Sequence, residues 1–131
     1  MKTLILAAAA SLATLSPAFA QMAEGSYDGT WDFTEEGCAN QHSDGRLIVD
    51  GNILRFWESS CTLTNPTGVR GLPHATVYDA ACSGEGNSWN TTFLLSAYGA
   101  QGGYLLVLQD QDASVRTACN WPNGGAQTPS K

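Results

Sequence analysis

The fold is decided by residues 88–98, which read Ser88-Trp89-Asn90-Thr91-Thr92-Phe93-Leu94-Leu95-Ser96-Ala97-Tyr98. In an extended chain every second residue falls on the same side, and here one side collects Trp89, Phe93 and Leu95. A period of two with bulky residues on one side is typical of a β-strand that packs on a core. We therefore predict a strand over residues 88–98, with Trp89, Phe93 and Leu95 buried.

Short segments with the same alternation fill most of the chain from residue 29 onward, and almost no segment shows a helical period. Residues that favour turns separate them, among them Asp50-Gly51-Asn52, which suits a tight hairpin. Further strands are predicted at residues 29–34, 46–50, 53–61, 75–82, 104–109 and 114–119. The pattern predicts an all-β fold, a small antiparallel meander closed or nearly closed into a barrel of about seven to eight strands.

The other turns are predicted where Gly, Asn and Asp cluster, at residues 84–87, 99–103 and 110–112. Residues 65–74 are predicted to form a long connection, because they hold Pro66, Gly68, Gly71 and Pro73.

The predicted strand at residues 53–61 has no purely apolar side. Turning its even-numbered residues inward buries Glu58 along with Leu54, whereas turning its odd-numbered residues inward buries Arg55 along with Trp57. Two interpretations remain open: the charge lies at a hydrated barrel rim or twisted edge, or it is a polar group inside a ligand cavity.

The first twenty residues are typical of a cleavable signal peptide. Lys2 provides a positive start, an apolar region follows from Leu4 to Leu12, and Ala18-Phe19-Ala20 places small residues at the cleavage site. A membrane anchor is disfavoured, because a spanning helix needs roughly 20 continuous apolar residues and this stretch is interrupted by Pro17 and hydroxyl residues. We predict a signal peptide at residues 1–20, a single β domain at 21–121 and a flexible tail at 122–131, in a bacterial protein that is periplasmic or secreted.

Charge excludes some classes of partner. Loss of Lys2 with the signal peptide leaves five bases against twelve acids, a formal charge of −7, and the remaining bases are dispersed. Nucleic acids and anionic membranes both attract clustered Lys and Arg. We therefore expect no nucleic-acid partner and no membrane insertion after cleavage.

Four cysteines, Cys38, Cys61, Cys82 and Cys119, remain in the predicted mature chain. An even number in an exported chain predicts two disulfides. Three pairings are possible; we favour Cys38 with Cys61 and Cys82 with Cys119, because each closes a short loop, and Cys61 with Cys82 across a hairpin remains the alternative.

Catalytic and metal-binding chemistry finds little support in the sequence. Cys38, His42 and Asp44 lie close together, but a disulfide-bonded Cys38 has no thiolate with which to attack. His42 and His74 have no surrounding carboxylate pattern that indicates a metal site, and Asp110-x-Asp112 lacks the glycine and glutamate of a calcium loop. We expect neither a catalytic residue nor a metal or cofactor.

Tyr27-Asp28-Gly29-Thr30-Trp31 opens the first predicted strand, and Arg116 lies in the last. This resembles the Gly-x-Trp motif and final-strand basic residue of calycin-type small β-barrels, a group that includes lipocalins and small periplasmic inhibitors of metalloproteases. The resemblance implies that Arg116 packs across Trp31 and closes the base of the barrel. In style the chain is also similar to small, acidic, exported proteins of proteobacteria.

These observations favour a non-catalytic binding protein. The first hypothesis is a module that binds another protein of the periplasm or membrane, as an inhibitor or accessory subunit, through Arg70, Leu72 and His74 in the predicted connection. The alternative is a binder of a small apolar ligand inside a barrel lined by aromatic residues: Trp31, Phe33, Trp89 and Phe93. Such large side chains are expected to fill a short barrel and to leave no pocket above a few hundred cubic ångströms.

Overall fold

A computed structural model describes residues 27–99 and 102–119 of the chain. The predicted signal peptide and the predicted tail lie outside the described residues, as do the first residues of the predicted domain. Within the described part, no helix has the length and apolar character needed to cross a membrane.

Eight antiparallel strands follow one another around a closed barrel. Their bounds are β1 Gly29–Asp32, β2 Leu47–Asp50, β3 Ile53–Arg55, β4 Ser59–Val69, β5 Leu72–Gly84, β6 Asn87–Tyr98, β7 Tyr104–Gln109 and β8 Asp112–Ala118. The barrel closes where β8 pairs with β1, with Trp31 opposite Ala118 and Asp32 opposite Thr117. This confirms the all-β prediction and the closed meander.

The predicted hairpin at Asp50-Gly51-Asn52 is confirmed. Asp50 pairs with Ile53, so Gly51 and Asn52 form a two-residue turn. Gly51 has a φ of 58°, which glycine adopts without steric cost. The Asp28 carboxylate accepts a hydrogen bond from the Gly51 amide at 2.8 Å, which ties the turn to the start of β1.

The prediction of one strand over residues 53–61 is wrong, because the chain reverses in the middle of it. β3 ends at Arg55 and β4 begins at Ser59, and the Phe56 amide donates to the Ser59 carbonyl across the turn at 2.8 Å. Because of this reversal neither charge has to be buried: Leu54 is buried, while Arg55 and Glu58 are both exposed. It also supplies the eighth strand.

The prediction of a long connection at residues 65–74 is also wrong. β4 and β5 run on into this segment and turn only at Arg70 and Gly71. The pairing is irregular, with register shifts between Thr64 and Thr67 and after Gly68. Proline and glycine are tolerated here because β-bulges absorb the residues that do not fit the ladder.

One short helix, α1 Glu35–Ala39, was not predicted. Thr34 caps it, since the Thr34 Oγ1 accepts a hydrogen bond from the Gly37 amide at 3.0 Å. A helix of five residues is too short to show a period of 3.6 in the sequence.

The barrel interior is filled by large apolar side chains. Those buried most completely are Leu47, Leu54, Phe93, Leu95 and Leu105, each with no exposed surface. This confirms the prediction for Phe93 and Leu95.

Two aromatic residues expected inside the barrel are largely exposed. Trp89 is 38% exposed because it lies near the start of β6, beside the β5–β6 turn. Phe33 is 52% exposed because β1 ends one residue earlier, at Asp32. Both residues lie at the mouth of the barrel rather than in its core.

The connections sort into two ends of the barrel, because successive strands of a meander run in opposite directions. The connections after β1, β3, β5 and β7 meet at one end, which we call the helix end because α1 lies there. The connections after β2, β4 and β6 meet at the other end. There the outer parts of β4 and β5 form a hairpin, residues 65–74, which we call the arm.

Candidate functional site

Both disulfides lie toward the helix end, one between β4 and β5 and the other between α1 and the end of β8. Cys61 and Cys82 are direct partners in the β4–β5 ladder, and their sulfurs are bonded. Cys38 in α1 is bonded to Cys119, the residue after β8, 81 positions along the chain. The favoured pairing is therefore wrong, and the alternative of Cys61 with Cys82 is confirmed.

The reason lies in the strand order rather than in loop length. Closure of the barrel places the end of β8 beside β1, and the Cys119 amide donates to the Thr30 carbonyl at 2.8 Å. Cys38 follows β1 by only a few residues, so it meets Cys119 in space. Because Cys38 is oxidised, the grouping of Cys38 with His42 and Asp44 has no nucleophile.

Arg116 lies buried where the first connection crosses the barrel, with 7% of its surface exposed. Its Nε donates to the Gly45 carbonyl at 3.0 Å, and its Nη1 donates to the Ser114 hydroxyl at 2.6 Å. Burial lowers the pKa of Arg116, and the nearby Asp32 carboxylate opposes that shift.

The rings beneath the Arg116 guanidinium are those of Phe33, at 4.4 Å from its centroid, and Phe56, at 5.8 Å. The family resemblance implied Trp31 in this position. Trp31 is buried instead in the core, where its Nε1 donates to the Tyr27 carbonyl at 3.0 Å. The basic residue of the last strand thus packs on aromatic rings, but on different ones from those expected.

Asp32 holds the first connection, residues 33–46, against the barrel. This side chain is 1% exposed and accepts hydrogen bonds from the Phe33 amide and the Ser43 hydroxyl. Its Oδ2 lies 3.8 Å from the Nε of Arg46. The Arg46 Nη2 in turn donates to the carbonyls of α1 and the loop after it, at Gly37, Cys38 and Asn40.

Glycine is required beside this carboxylate. A Cβ at Gly37 would approach the Asp32 Oδ1 to 2.5 Å, and a Cβ at Gly45 would approach the Phe33 ring to 2.3 Å. The whole connection therefore packs too closely to admit a larger side chain at either position.

Arg70, Leu72 and His74 are all exposed on the arm, and the exposed fraction of Leu72 is 56%. The arm is braced at its base: the Asn65 Nδ2 donates to the Asp79 carboxylate at 3.1 Å, and the Thr67 hydroxyl donates to the Asn65 carbonyl. Arg70 lies in the turn at the tip of the arm, and Leu72 and His74 follow it on β5.

Tyr27 anchors the arm from inside the barrel. Its hydroxyl donates to the His74 carbonyl at 2.9 Å, and also lies within hydrogen-bonding distance of the Thr76 hydroxyl and the Leu95 carbonyl. Burial raises the pKa of Tyr27 from 10.0, so the hydroxyl stays protonated at neutral pH.

The helix end carries a second group of exposed residues, centred on Trp57 in the β3–β4 turn. Trp57 is 53% exposed and meets the ring of His42 edge to face, with the centroids 6.3 Å apart. Next to it, the neighbouring Glu85 carboxyl raises the pKa of Glu58, because a hydrogen bond to the protonated form and repulsion between like charges both disfavour the ionised carboxylate. We call Phe33, His42, Phe56 and Trp57 the aromatic rim.

Two shallow grooves lie along the β4–β5–β6 surface. The larger, of about 450 Å³, is lined mainly by small polar side chains that include Thr64, Asp79, Asn90 and Thr92. The smaller, of about 360 Å³, adjoins it and shares Ala81 and Asn90 with it. Both grooves are open and of mixed polarity, and Trp89 is the single aromatic residue that lines them, unlike the aromatic cavity that an apolar ligand in the barrel interior would need.

The aromatic rim and the Tyr27 anchor were not identified from the sequence. Residues 53–61 did carry a signal for the rim. Either choice of inward face buried a charge, which argued against one continuous strand and for a turn at Phe56 and Trp57. No such signal marked Tyr27, because its partners lie more than forty positions away along the chain.

Comparison with known proteins adds no family to these observations. A scan against protein-family models, a search of curated proteins and a search of solved structures each find no match to this chain.

Proposed function

We propose that this is an exported, non-catalytic binding protein whose partner is another protein of the periplasm or of a membrane-associated assembly. In this role it acts as an inhibitor or an accessory subunit, in the manner of the small periplasmic inhibitors among calycin-type barrels. The observation that carries the proposal is the arm, which presents Arg70, Leu72 and His74 to solvent beyond the strands that form the closed barrel.

The arm is suited to docking because it is already ordered. The Tyr27 hydroxyl donates to the His74 carbonyl, the Asn65 Nδ2 donates to the Asp79 carboxylate, and Val69 pairs with Leu72 across the turn. A rigid segment loses little conformational entropy on binding, so more of its contact energy appears as affinity. Leu72 offers apolar area to bury, and Arg70 and His74 offer donors around it.

Export supports the same proposal. Two disulfides persist in an oxidising compartment such as the periplasm or the extracellular space.

The test is site-specific photo-crosslinking in the native periplasm, with the crosslinking residue placed at Leu72. The control carries it at Val115, which is 45% exposed on β8 and lies outside the arm. We expect one protein to crosslink from position 72 and not from position 115, and the change Arg70→Glu to abolish that product.

Equal crosslinking from both positions would contradict docking through the arm. If no protein is captured and the purified protein carries a bound lipid, the alternative function, binding of a small apolar ligand in the barrel, replaces the proposed one.

A further inference from the structure

The helix end exposes more aromatic surface than a small barrel needs to. Phe33 and Trp57 are each more than half exposed, at 52% and 53%. Exposed aromatic side chains that lie together mark interaction surfaces more often than single exposed apolar residues do.

The side chains of the aromatic rim are held in place by their neighbours. The Arg116 guanidinium lies between Phe33 and Phe56, Phe56 stacks on the buried Phe93 at 6.0 Å, and His42 meets Trp57. The disulfide of Cys38 fixes the first connection beside it. A partner would therefore meet a preformed surface.

Negative charge surrounds the rim. Seven exposed carboxylates lie on or beside the four connections of the helix end: Glu35, Glu36, Asp44, Glu58, Glu85, Asp110 and Asp112. Among residues 27–99 and 102–119, the other end exposes fewer carboxylates, and it carries Arg70 as well.

The bases near the helix end do not neutralise this surface. Arg116 is buried, and Arg46 donates to three backbone carbonyls and lies near the buried Asp32. Arg55 is exposed but pairs with Asp50 at 3.2 Å. The field that an approaching molecule meets is therefore negative.

Glu58 and Glu85 sharpen the prediction of what binds. Glu58 and Glu85 lie in neighbouring turns, because the adjacent residues Ser59 and Gly84 pair in the β4–β5 ladder, and like charges so placed repel each other. Glu58 also directly follows Trp57, so its carboxylate and the Trp57 ring belong to the same turn.

We propose that the helix end is a docking surface for a cationic segment of a protein partner, rich in arginine or lysine with apolar residues between them. Its guanidinium or ammonium groups stack on Trp57 and pair with Glu58 and Glu85, while its apolar side chains cover Phe33. The surface lies at the opposite end from the arm, so the inference does not depend on the arm's function.

The test measures binding of a short fluorescent peptide, in which arginine and leucine alternate, to the mature protein by fluorescence anisotropy. We expect saturable binding that weakens with added salt. Trp57→Ala should raise the Kd by about fivefold through loss of the cation–π contact. The matched control is Tyr104→Ala, which removes another aromatic side chain, 48% exposed, at the other end of the barrel.

The charge contribution is tested with Glu58→Gln combined with Glu85→Gln, against Asp28→Asn combined with Asp79→Asn, which leaves the Arg55–Asp50 pair intact. Both pairs change the formal charge equally, so only the position differs. We expect the first pair to weaken binding by about tenfold and the second by less than twofold.

Three results would overturn the proposal. These are equal weakening by the two charge pairs, unchanged binding in Trp57→Ala, or equal affinity for a peptide with glutamate in place of arginine. Trp57→Phe, which keeps a ring, should retain most of the affinity, and circular dichroism of each variant shows that loss of binding is not loss of fold.

Discussion

At the scale of single residues, the fold provides hydrogen-bond partners for the buried Asp32 Oδ1 and Tyr27 hydroxyl, whereas Asp32 Oδ2 and Arg46 Nε face each other at 3.8 Å without a hydrogen bond. Asp32 accepts two hydrogen bonds and lies near Arg46, and the Tyr27 hydroxyl finds its acceptors on β5 and β6. An unpaired polar group in either position would cost about 1 to 3 kcal/mol. These residues therefore fix the positions of the first connection and of the arm.

The exposed pair of Glu58 and Glu85 gives a prediction about pH. Contact with Glu85 raises the pKa of Glu58 in the folded protein above its ordinary value of 4.5. The folded state therefore holds a proton that the unfolded state releases, and the resulting stability is present below about pH 4.5 and lost as the pH rises through the folded-state pKa.

We expect Glu85→Gln to remove this pH dependence. The Tm of the variant should rise relative to that of the native protein as the pH goes from about 4 to about 7 in a thermal denaturation series. The control Glu36→Gln makes the same chemical change on α1. A constant difference in Tm between Glu85→Gln and the native protein at every pH would contradict the contact.

At the scale of elements, the sequence predicts strands better than it predicts where they stop. Alternation located the strand at residues 88–98 because its buried face repeats every second residue. The turn after Arg55 was missed because it contains Phe56 and Trp57, large apolar residues that resemble a strand, and no Gly or Pro.

The opposite error occurred at residues 65–74, where proline and glycine mark bulges in a paired hairpin rather than a loop. The disulfide pairing could not be predicted because it depends on which strands become neighbours. Closure of β8 on β1 is a property of the whole chain, and the spacing of cysteines carries no information about it.

The two disulfides should differ in how much they stabilise the fold. In the chain-entropy model, the bond between Cys38 and Cys119, with a sequence separation of 81, stabilises by about 4.5 kcal/mol. The bond between Cys61 and Cys82, with a separation of 21, stabilises by about 3.4 kcal/mol.

We therefore expect replacement of Cys38 and Cys119 by alanine to lower the free energy of unfolding more than replacement of Cys61 and Cys82, as measured by urea denaturation. Each double variant is the control for the other. A larger loss from Cys61 and Cys82 would show that constraint of the β4–β5 ladder, and not loop entropy, dominates.

At the scale of the whole molecule, the closed sheet separates a filled interior from two ends with different character. The sequence predicts that the interior is apolar and filled, since it supplies enough large apolar side chains for a core. The ends could not, because the exposure of Trp57, Phe33 and Trp89 depends on where strands stop and on how the barrel mouth is covered.

A filled interior predicts a large effect of truncation at its centre. Phe93 has no exposed surface and stacks on Phe56, so Phe93→Ala should lower the free energy of unfolding by about 3 to 5 kcal/mol. The matched control is Leu94→Ala on the same strand, whose side chain lies on the outer face and is partly exposed. Chemical denaturation gives both values, and a small loss in Phe93→Ala would indicate a loosely packed interior.

The bond between Cys38 and Cys119 also turns most of the chain into a covalent ring that contains seven of the eight strands. A protease that cut once between those cysteines would open the ring without releasing a fragment. A cut at the tip of the arm leaves the two pieces joined by two disulfides, because the tip also lies inside the smaller ring closed by Cys61 and Cys82. Among proteases outside the cytoplasm, a nicked molecule would remain in one piece, and its arm could still reach a partner.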